Sequence, residues 1–121
     1  MTKTPITKHE FDLEERTLEF ARRVIQLCKK VQSDAVNREL VGQLVRASGS
    51  VGANYREAND ALSKKDFGHR IKITRREAKE AHYWLQLLEE ANPASNGAIQ
   101  DLRREALELK KIFSSIAGKV S

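Results

Sequence analysis

Hydrophobic residues recur along this chain every three or four positions, the spacing that places them on one face of an α-helix. Short polar connections divide the pattern into four segments, over residues 12–32, 37–62, 64–92 and 96–120. Four amphipathic helices joined by short turns are typical of an antiparallel up-down bundle. The sequence therefore predicts an all-α fold with a single four-helix bundle domain over residues 12–120, preceded by an N-terminal extension over residues 1–11.

Polar residues mark the predicted ends of these helices. Asp12 with Glu15 three positions later forms a capping-box pattern, and Ser63 with Asp66 forms a weaker version of it. Pro93 disfavours helical backbone at the residue before it, so the third helix should end there.

The second helix is the least favoured by intrinsic propensity, because it contains several glycines and each costs about 1 kcal/mol relative to alanine. A sequence tolerates this cost where small residues let a second backbone come close. These glycines are Gly42, Gly49 and Gly52.

The composition limits the class of protein. Hydrophobic residues make up 40% of the 121 residues, too many for a disordered chain, and the 6% of aromatic residues leaves a core built mainly from Leu, Ile, Val and Ala. A single cysteine excludes an intramolecular disulfide and a cysteine-rich zinc site. No segment has the ~18 apolar residues of a membrane span, and no apolar leader marks the N-terminus. We expect a cytoplasmic protein that does not associate with membranes.

No residue pattern typical of an enzyme is found. A helical di-iron site needs two pairs of a carboxylate and a histidine three positions apart, with further glutamates, whereas only Asp66 and His69 have this spacing. Cys28 lies on a secondary apolar line of the first helix, where we expect a buried and unreactive thiol. His82 is expected at the surface or at an interface. The sequence predicts a protein that is not an enzyme and binds no metal or cofactor.

Positive charge is concentrated at the beginning of the third helix. The chain has a net charge of +5, and residues 64–79 alone contain seven basic minus two acidic side chains, which is also +5. Lys65, Lys72, Arg76 and Lys79 share one helix face, and Tyr83 lies one turn beyond them. A line of cations can follow the phosphates of a nucleic acid, and a tyrosine can stack on an unpaired base. The candidate nucleic-acid-binding residues are Lys65, Arg70, Lys72, Arg75, Arg76, Lys79 and Tyr83. The alternative is a solvated face balanced by acidic residues of the same and neighbouring helices.

Two further patterns have two interpretations each. Ile73, Trp84 and Leu87 form an apolar line displaced from the main apolar face of the third helix, so they either widen the core or contact another subunit. In the second helix, three polar residues share a face beside the apolar one: Ser50, Asn54 and Glu57. Because buried polar groups need partners, these residues either fix the register of helix packing or contact a ligand or subunit.

Three segments resemble the four-helix bundle family of the 23S rRNA intervening-sequence type. The segments are QLVRASGSVGANYREA (43–58), SKKDF (63–67) and EAKEAHYWLQLL (77–88), and the resemblance extends over about residues 11–120. Ala58 stands where many relatives have glycine, and Arg76 and Glu77 stand where many have a Gly–Ser pair. These two charged residues make the third helix more charged than in such relatives.

The resemblance implies an up-down bundle that assembles into a homopentamer around a central channel and has no enzymatic activity. Some members are encoded in insertions within ribosomal RNA genes. Similar proteins that accompany diversity-generating retroelements bind nucleic acid and the reverse transcriptase. A pentamer would place the apolar line through Trp84 between subunits and would repeat the basic residues five times, which strengthens the attraction for a polyanion.

The prediction is a homo-oligomeric, non-enzymatic bundle that binds the backbone of RNA or DNA through the basic surface of its third helix. The alternative is a scaffold whose partner is another protein, such as a nucleic-acid-processing protein or a ribosomal component. In that alternative the basic surface serves solubility or docking and does not touch nucleic acid.

Overall fold

A computed structural model describes residues 12–120, and the predicted N-terminal extension lies outside the described residues. The described part contains four α-helices and no strand: α1 (Leu13–Cys28), α2 (Ala35–Asn59), α3 (Lys64–Ala91) and α4 (Asn96–Val120). A 3-10 turn, Pro93–Ser95, joins α3 to α4. The all-α prediction is confirmed for these residues. None of these helices has the length and hydropathy needed to cross a membrane.

Contacts between α2 and α3 show that these helices run antiparallel. Arg46 binds Glu80, whereas Asn54, further along α2, binds Arg70, which lies earlier on α3. The other connected helices show the same relation, and short connections hold consecutive helices side by side. The four helices thus pack in an up-down arrangement.

The core is built from aliphatic side chains with few aromatic rings, in agreement with the composition. α3 has extensive contacts with both α2 and α4, whereas α1 touches α4 over a shorter length. α3 is therefore covered on two sides, and its remaining face is exposed to solvent. The largest fully buried side chains come from all four helices and include Phe20, Val24, Leu44, Val51, Ile71, Leu85, Leu109 and Phe113.

Two helices end earlier than predicted. α1 ends at Cys28 and does not reach Gln32, because the side-chain amide of Asn37 donates a hydrogen bond to the Gln32 carbonyl oxygen (2.8 Å) and holds this segment in the turn. α2 begins where Asp34 accepts a hydrogen bond from the backbone N–H of Asn37 (2.8 Å). At the other end of α2, Leu62 lies in the connection to α3 and is 98% exposed, so it does not continue the apolar face.

One of the three glycines in α2 allows a close helix contact. A Cβ atom at Gly52 would lie 3.0 Å from Oγ1 of Thr17 on α1, whose side chain is fully buried. Gly42 and Gly49 have no such neighbour within 4 Å. The expectation of close packing therefore holds for Gly52 and is wrong for the other two.

Candidate nucleic-acid-binding surface

The face of α3 opposite the core carries the predicted line of basic residues. α3 begins at Lys64 because Oγ of Ser63 accepts a hydrogen bond from the backbone N–H of Asp66 (3.0 Å), as predicted from the capping pattern. The buried face of the helix packs on α2 and α4, which turns the opposite face to solvent. The exposed residues there are Lys65, Lys72, Arg76, Lys79 and Tyr83, and we call the first four the basic face.

A groove of about 490 Å³ runs between α3 and α4 beside the basic face. No carboxylate lines it, and its charged lining consists of Lys72, Arg75, Arg76, Lys79 and Lys110. A second cavity of about 740 Å³, lined by Lys64 and Lys65, lies towards the beginning of α3. The two cavities share His69 and Lys72, so they form one continuous depression, which we call the α3–α4 groove.

α4 contributes Lys110, a residue that the charge pattern of the sequence does not distinguish from its neighbours. Lys110 and Ser114, one turn later, both line the groove, and Lys110 directly follows the buried Leu109. Basic and acidic residues are mixed along α4, so the charge count does not distinguish Lys110 from Lys111. Its position next to the buried apolar line of α4 does indicate this role, because a residue beside that line faces a neighbouring helix.

Four of the five basic residues in the central part of the groove form no ion pair within residues 12–120, and Lys65 forms none either. The exception is Arg76, which lies 3.8 Å from the carboxylate of Glu77. Glu77 is 7% exposed, and its other oxygen lies 3.5 Å from Arg46 of α2. Five arginines outside the groove are paired with a carboxylate: Arg16, Arg22, Arg46, Arg103 and Arg104. The groove thus gathers several cations that have no carboxylate partner within residues 12–120, and exposed cations elsewhere, such as Lys29, Lys30 and Lys111, form no ion pair there either.

Arg70 is separated from the other predicted phosphate-binding residues. Its guanidinium donates a hydrogen bond to Oδ1 of Asn54 on α2 (3.1 Å), and Nδ2 of Asn54 donates to the carbonyl oxygen of Ser50 (2.9 Å). Arg70 thus connects α3 to α2. Glu57, the third residue of the predicted polar cluster, is exposed and takes no part in these contacts.

The three residues of the displaced apolar line have different surroundings. Ile73 lines the α3–α4 groove, while Trp84 and Leu87 are half-buried. Trp84 packs against the core, and the ring of Tyr83 meets it edge-on at a centroid distance of 5.2 Å. Tyr83 remains 51% exposed, so its ring is both held in place and accessible.

Two potentially reactive side chains are His82, which lies between α3 and α4, and Cys28 at the end of α1. Burial lowers the pKa of His82, and the positive charges of Arg103 and Lys110 lower it further. Cys28 is half-buried rather than fully buried, and burial raises the pKa of its thiol to about 11, so it is protonated at neutral pH. Within residues 12–120 no group of His, Cys, Asp and Glu side chains is arranged to hold a metal ion.

A second groove, of about 330 Å³, separates α4 from α1, and we call it the α1–α4 groove. Arg16 donates two hydrogen bonds to Glu105 across it, at 2.7 and 3.0 Å. The side chain of Asp12 makes no capping hydrogen bond to α1, so the predicted capping box is not formed there. The lining residues of this groove are Asp12, Glu15, Arg16, Glu19, Phe20, Arg23 and Glu105.

Comparison with known proteins connects this architecture to one family. The family model for the 23S rRNA-intervening sequence protein matches residues 9–115. The fold is similar to the crystal structure of a protein of unknown function from the S23 ribosomal protein family of Bacteroides thetaiotaomicron VPI-5482. The two chains are 33% identical with a TM-score of 0.77, over 86% of this chain and 96% of that chain. No match was found among curated proteins.

Proposed function

The chain belongs to the 23S rRNA-intervening sequence protein family, and we propose that it binds the backbone of nucleic acid through the basic face of α3 and the groove beside it. The observation that carries the proposal is the lining of the α3–α4 groove, where five cations and no carboxylate surround its central cavity. Neutralisation of phosphates by such cations releases counterions and drives binding. The names of the family and of the similar structure refer to ribosomal RNA and a ribosomal protein, which supports a nucleic-acid partner.

The placement of charge along α3 also supports a role in binding. A helix has a partial positive charge at its N-terminus, so a cation there costs roughly 0.3–1 kcal/mol. In the first turn of α3, Lys64 and Lys65 nevertheless outnumber the one carboxylate, Asp66, and the last turn has Glu89 and Glu90 but no basic residue. Folding stability alone favours the opposite order. An external polyanion explains why the lysines stand at this end.

Titration of a labelled RNA at two salt concentrations tests the proposal. About four neutralised phosphates on a single strand give a slope of about −3 for log K against log salt, so a fourfold rise in salt weakens binding roughly 50-fold. We expect the variant K72E/R76E/K79E to bind at least about 100-fold more weakly at low salt. The control variant K29E/K30E/K111E changes the same charge at exposed positions outside the α3–α4 groove and should retain most of the affinity.

Two results would overturn this proposal. Equal losses in both variants would show that overall charge, and not the basic face, determines binding. No binding of the unaltered protein at low salt would exclude the function and favour the alternative, a scaffold for another protein.

The family resemblance leads us to propose in addition that five chains assemble into a ring. Trp84 and Leu87 support this assembly, because both are half-buried apolar side chains at the edge of the core. Light scattering should then give a mass of five times 13.7 kDa. A monomer at the same concentration would contradict the assembly and remove the gain in affinity from repeated binding surfaces.

A further inference from the structure

We propose that the ligand of the α3–α4 groove is a single strand of nucleic acid, which lies between the two helices with its phosphates on cations of both and a base against Tyr83. This inference rests on the proposed function. It adds that the ligand is single-stranded and that α4 contacts it directly.

The first argument is the shape of the groove. Packed helices lie about 8–10 Å apart between their axes, whereas the major groove of a DNA duplex alone is about 12 Å wide. A duplex would therefore rest on the exposed crest of α3 and would not reach the floor. On the α4 side the lining includes two small side chains, Ser114 and Ala117, beside Val120, and Ile73 lines the α3 side.

The second argument is that cations lie on both walls. Lys72 and Arg75 belong to α3, and Lys110 faces them from α4. A strand inside the groove contacts cations of both helices, but a duplex on the crest of α3 contacts those of α3 only. Lys110 is half-buried and forms no ion pair with any residue of the described range 12–120. It is therefore the residue that distinguishes the two modes of binding.

The third argument combines length and stacking. The fifteen steps from Lys64 to Lys79 correspond to about 22 Å of helix, which spans about four nucleotides, the lower end of the range for single-strand-binding folds. Tyr83 follows one turn after Lys79, with its ring fixed by Trp84 at 5.2 Å and 51% exposed. An accessible ring of fixed orientation at the end of a cationic groove is the arrangement that stacks on a base.

A paired titration tests the strand state. The probes are a short unstructured RNA strand and the same strand annealed to its complement, at equal low ionic strength. We expect the single strand to bind about tenfold more tightly than the duplex. K110Q should weaken binding of the single strand about three- to tenfold and leave duplex binding unchanged. K111Q, at the adjacent exposed position outside the groove, should change neither affinity.

Tyr83 provides a second, independent measurement. Y83A should weaken binding of the single strand about tenfold, and Y83F, which keeps the ring, should bind as the unaltered protein does. Circular dichroism establishes that each variant folds. Equal affinity for strand and duplex, equal effects of K110Q on both, or full binding by Y83A would overturn the single-strand inference and leave the proposed function standing. Failure to bind either probe would overturn both.

Discussion

α4 borders two grooves that differ in how their charges are used. In the α1–α4 groove, Arg16 and Glu105 form a bidentate ion pair, and the lining has more carboxylates than arginines. In the α3–α4 groove, the cations around Lys72 and Lys110 face no carboxylate. The two grooves lie against the same helix, so packing alone does not explain the difference. Paired charges thus connect α1 to α4 in one groove, whereas the other groove gathers charges of one sign, which is what the proposed binding of a polyanion requires.

The beginnings of α1 and α3 show the same contrast. Glu14 and Glu15 occupy the first turn of α1, where carboxylates are favourable beside the positive end of the helix dipole. Lys64 and Lys65 occupy the first turn of α3, where cations are unfavourable. The first-turn charges of α1 thus agree with folding stability, whereas in the first turn of α3 the two lysines outnumber the one favourable carboxylate, Asp66.

The largest expected effect concerns one apolar side chain that lines each groove. Phe20 lines the α1–α4 groove but is 1% exposed, so F20A should lower the free energy of unfolding by about 3–5 kcal/mol. Ile73 lines the α3–α4 groove and is half-buried, so I73A should cost about 1 kcal/mol. Urea denaturation measures both values. Equal costs would contradict the view that Phe20 is a core residue whereas Ile73 is only half-buried.

A smaller effect on stability is expected from substitution of the charged residues with which α4 lines the two grooves. E105Q removes the charge that accepts both hydrogen bonds from Arg16. The loss of stability should be limited to about 1–2 kcal/mol, because Arg16 remains partly solvated. K110Q, on the other side of α4, breaks no ion pair within residues 12–120 and should change stability by less than about 0.5 kcal/mol. Thermal unfolding at matched pH compares the two. A large loss in K110Q would mean that its charge serves folding.

Features that depend on spacing within one helix could be predicted from the sequence, and features that depend on pairs across helices could not. The cap at Ser63 and the exposed basic face follow from local periodicity. The side chains of Asn37 and Asn92 exchange two hydrogen bonds of 2.9 Å across 55 positions, and no local pattern indicates this pair. For the same reason the sequence pattern places Arg70 with the phosphate-binding residues and leaves Lys110 out, since each depends on which helix lies opposite.

The next effect concerns the helix dipole. K65E replaces a cation by an anion in the first turn of α3 and should raise stability by about 0.3–1 kcal/mol at low salt, while it weakens RNA binding. E15K makes the reverse change in the first turn of α1 and also removes the 3.6 Å ion pair of Glu15 with Arg22, so it should lower stability by a similar or somewhat larger amount. Denaturation at low and high salt measures both, because salt screens the effect. A loss of stability in K65E would show that this lysine supports folding.

The subtlest effect is a shift in the titration of His82, which reports the positive potential beside the α3–α4 groove. Burial, then Arg103 and Lys110, lower its pKa below the ordinary value of 6.5. As pH falls below that value, the unfolded chain takes up this proton before the folded chain does. The contribution of His82 to stability is therefore complete above pH 6.5 and is lost as pH falls through the lowered pKa.

Removal of one neighbouring charge sharpens this measurement. In K110Q the pKa of His82 should rise, because one of the three causes of its lowering is gone, and the acid-side loss of stability should become smaller. K111Q serves as the control, since Lys111 is not among the charges that act on His82. NMR titration of the imidazole protons gives the pKa directly. RNA bound in the groove places phosphates near Lys110, so it should also raise the pKa of His82. If bound RNA leaves this pKa unchanged, the RNA does not lie along the α4 side of the groove.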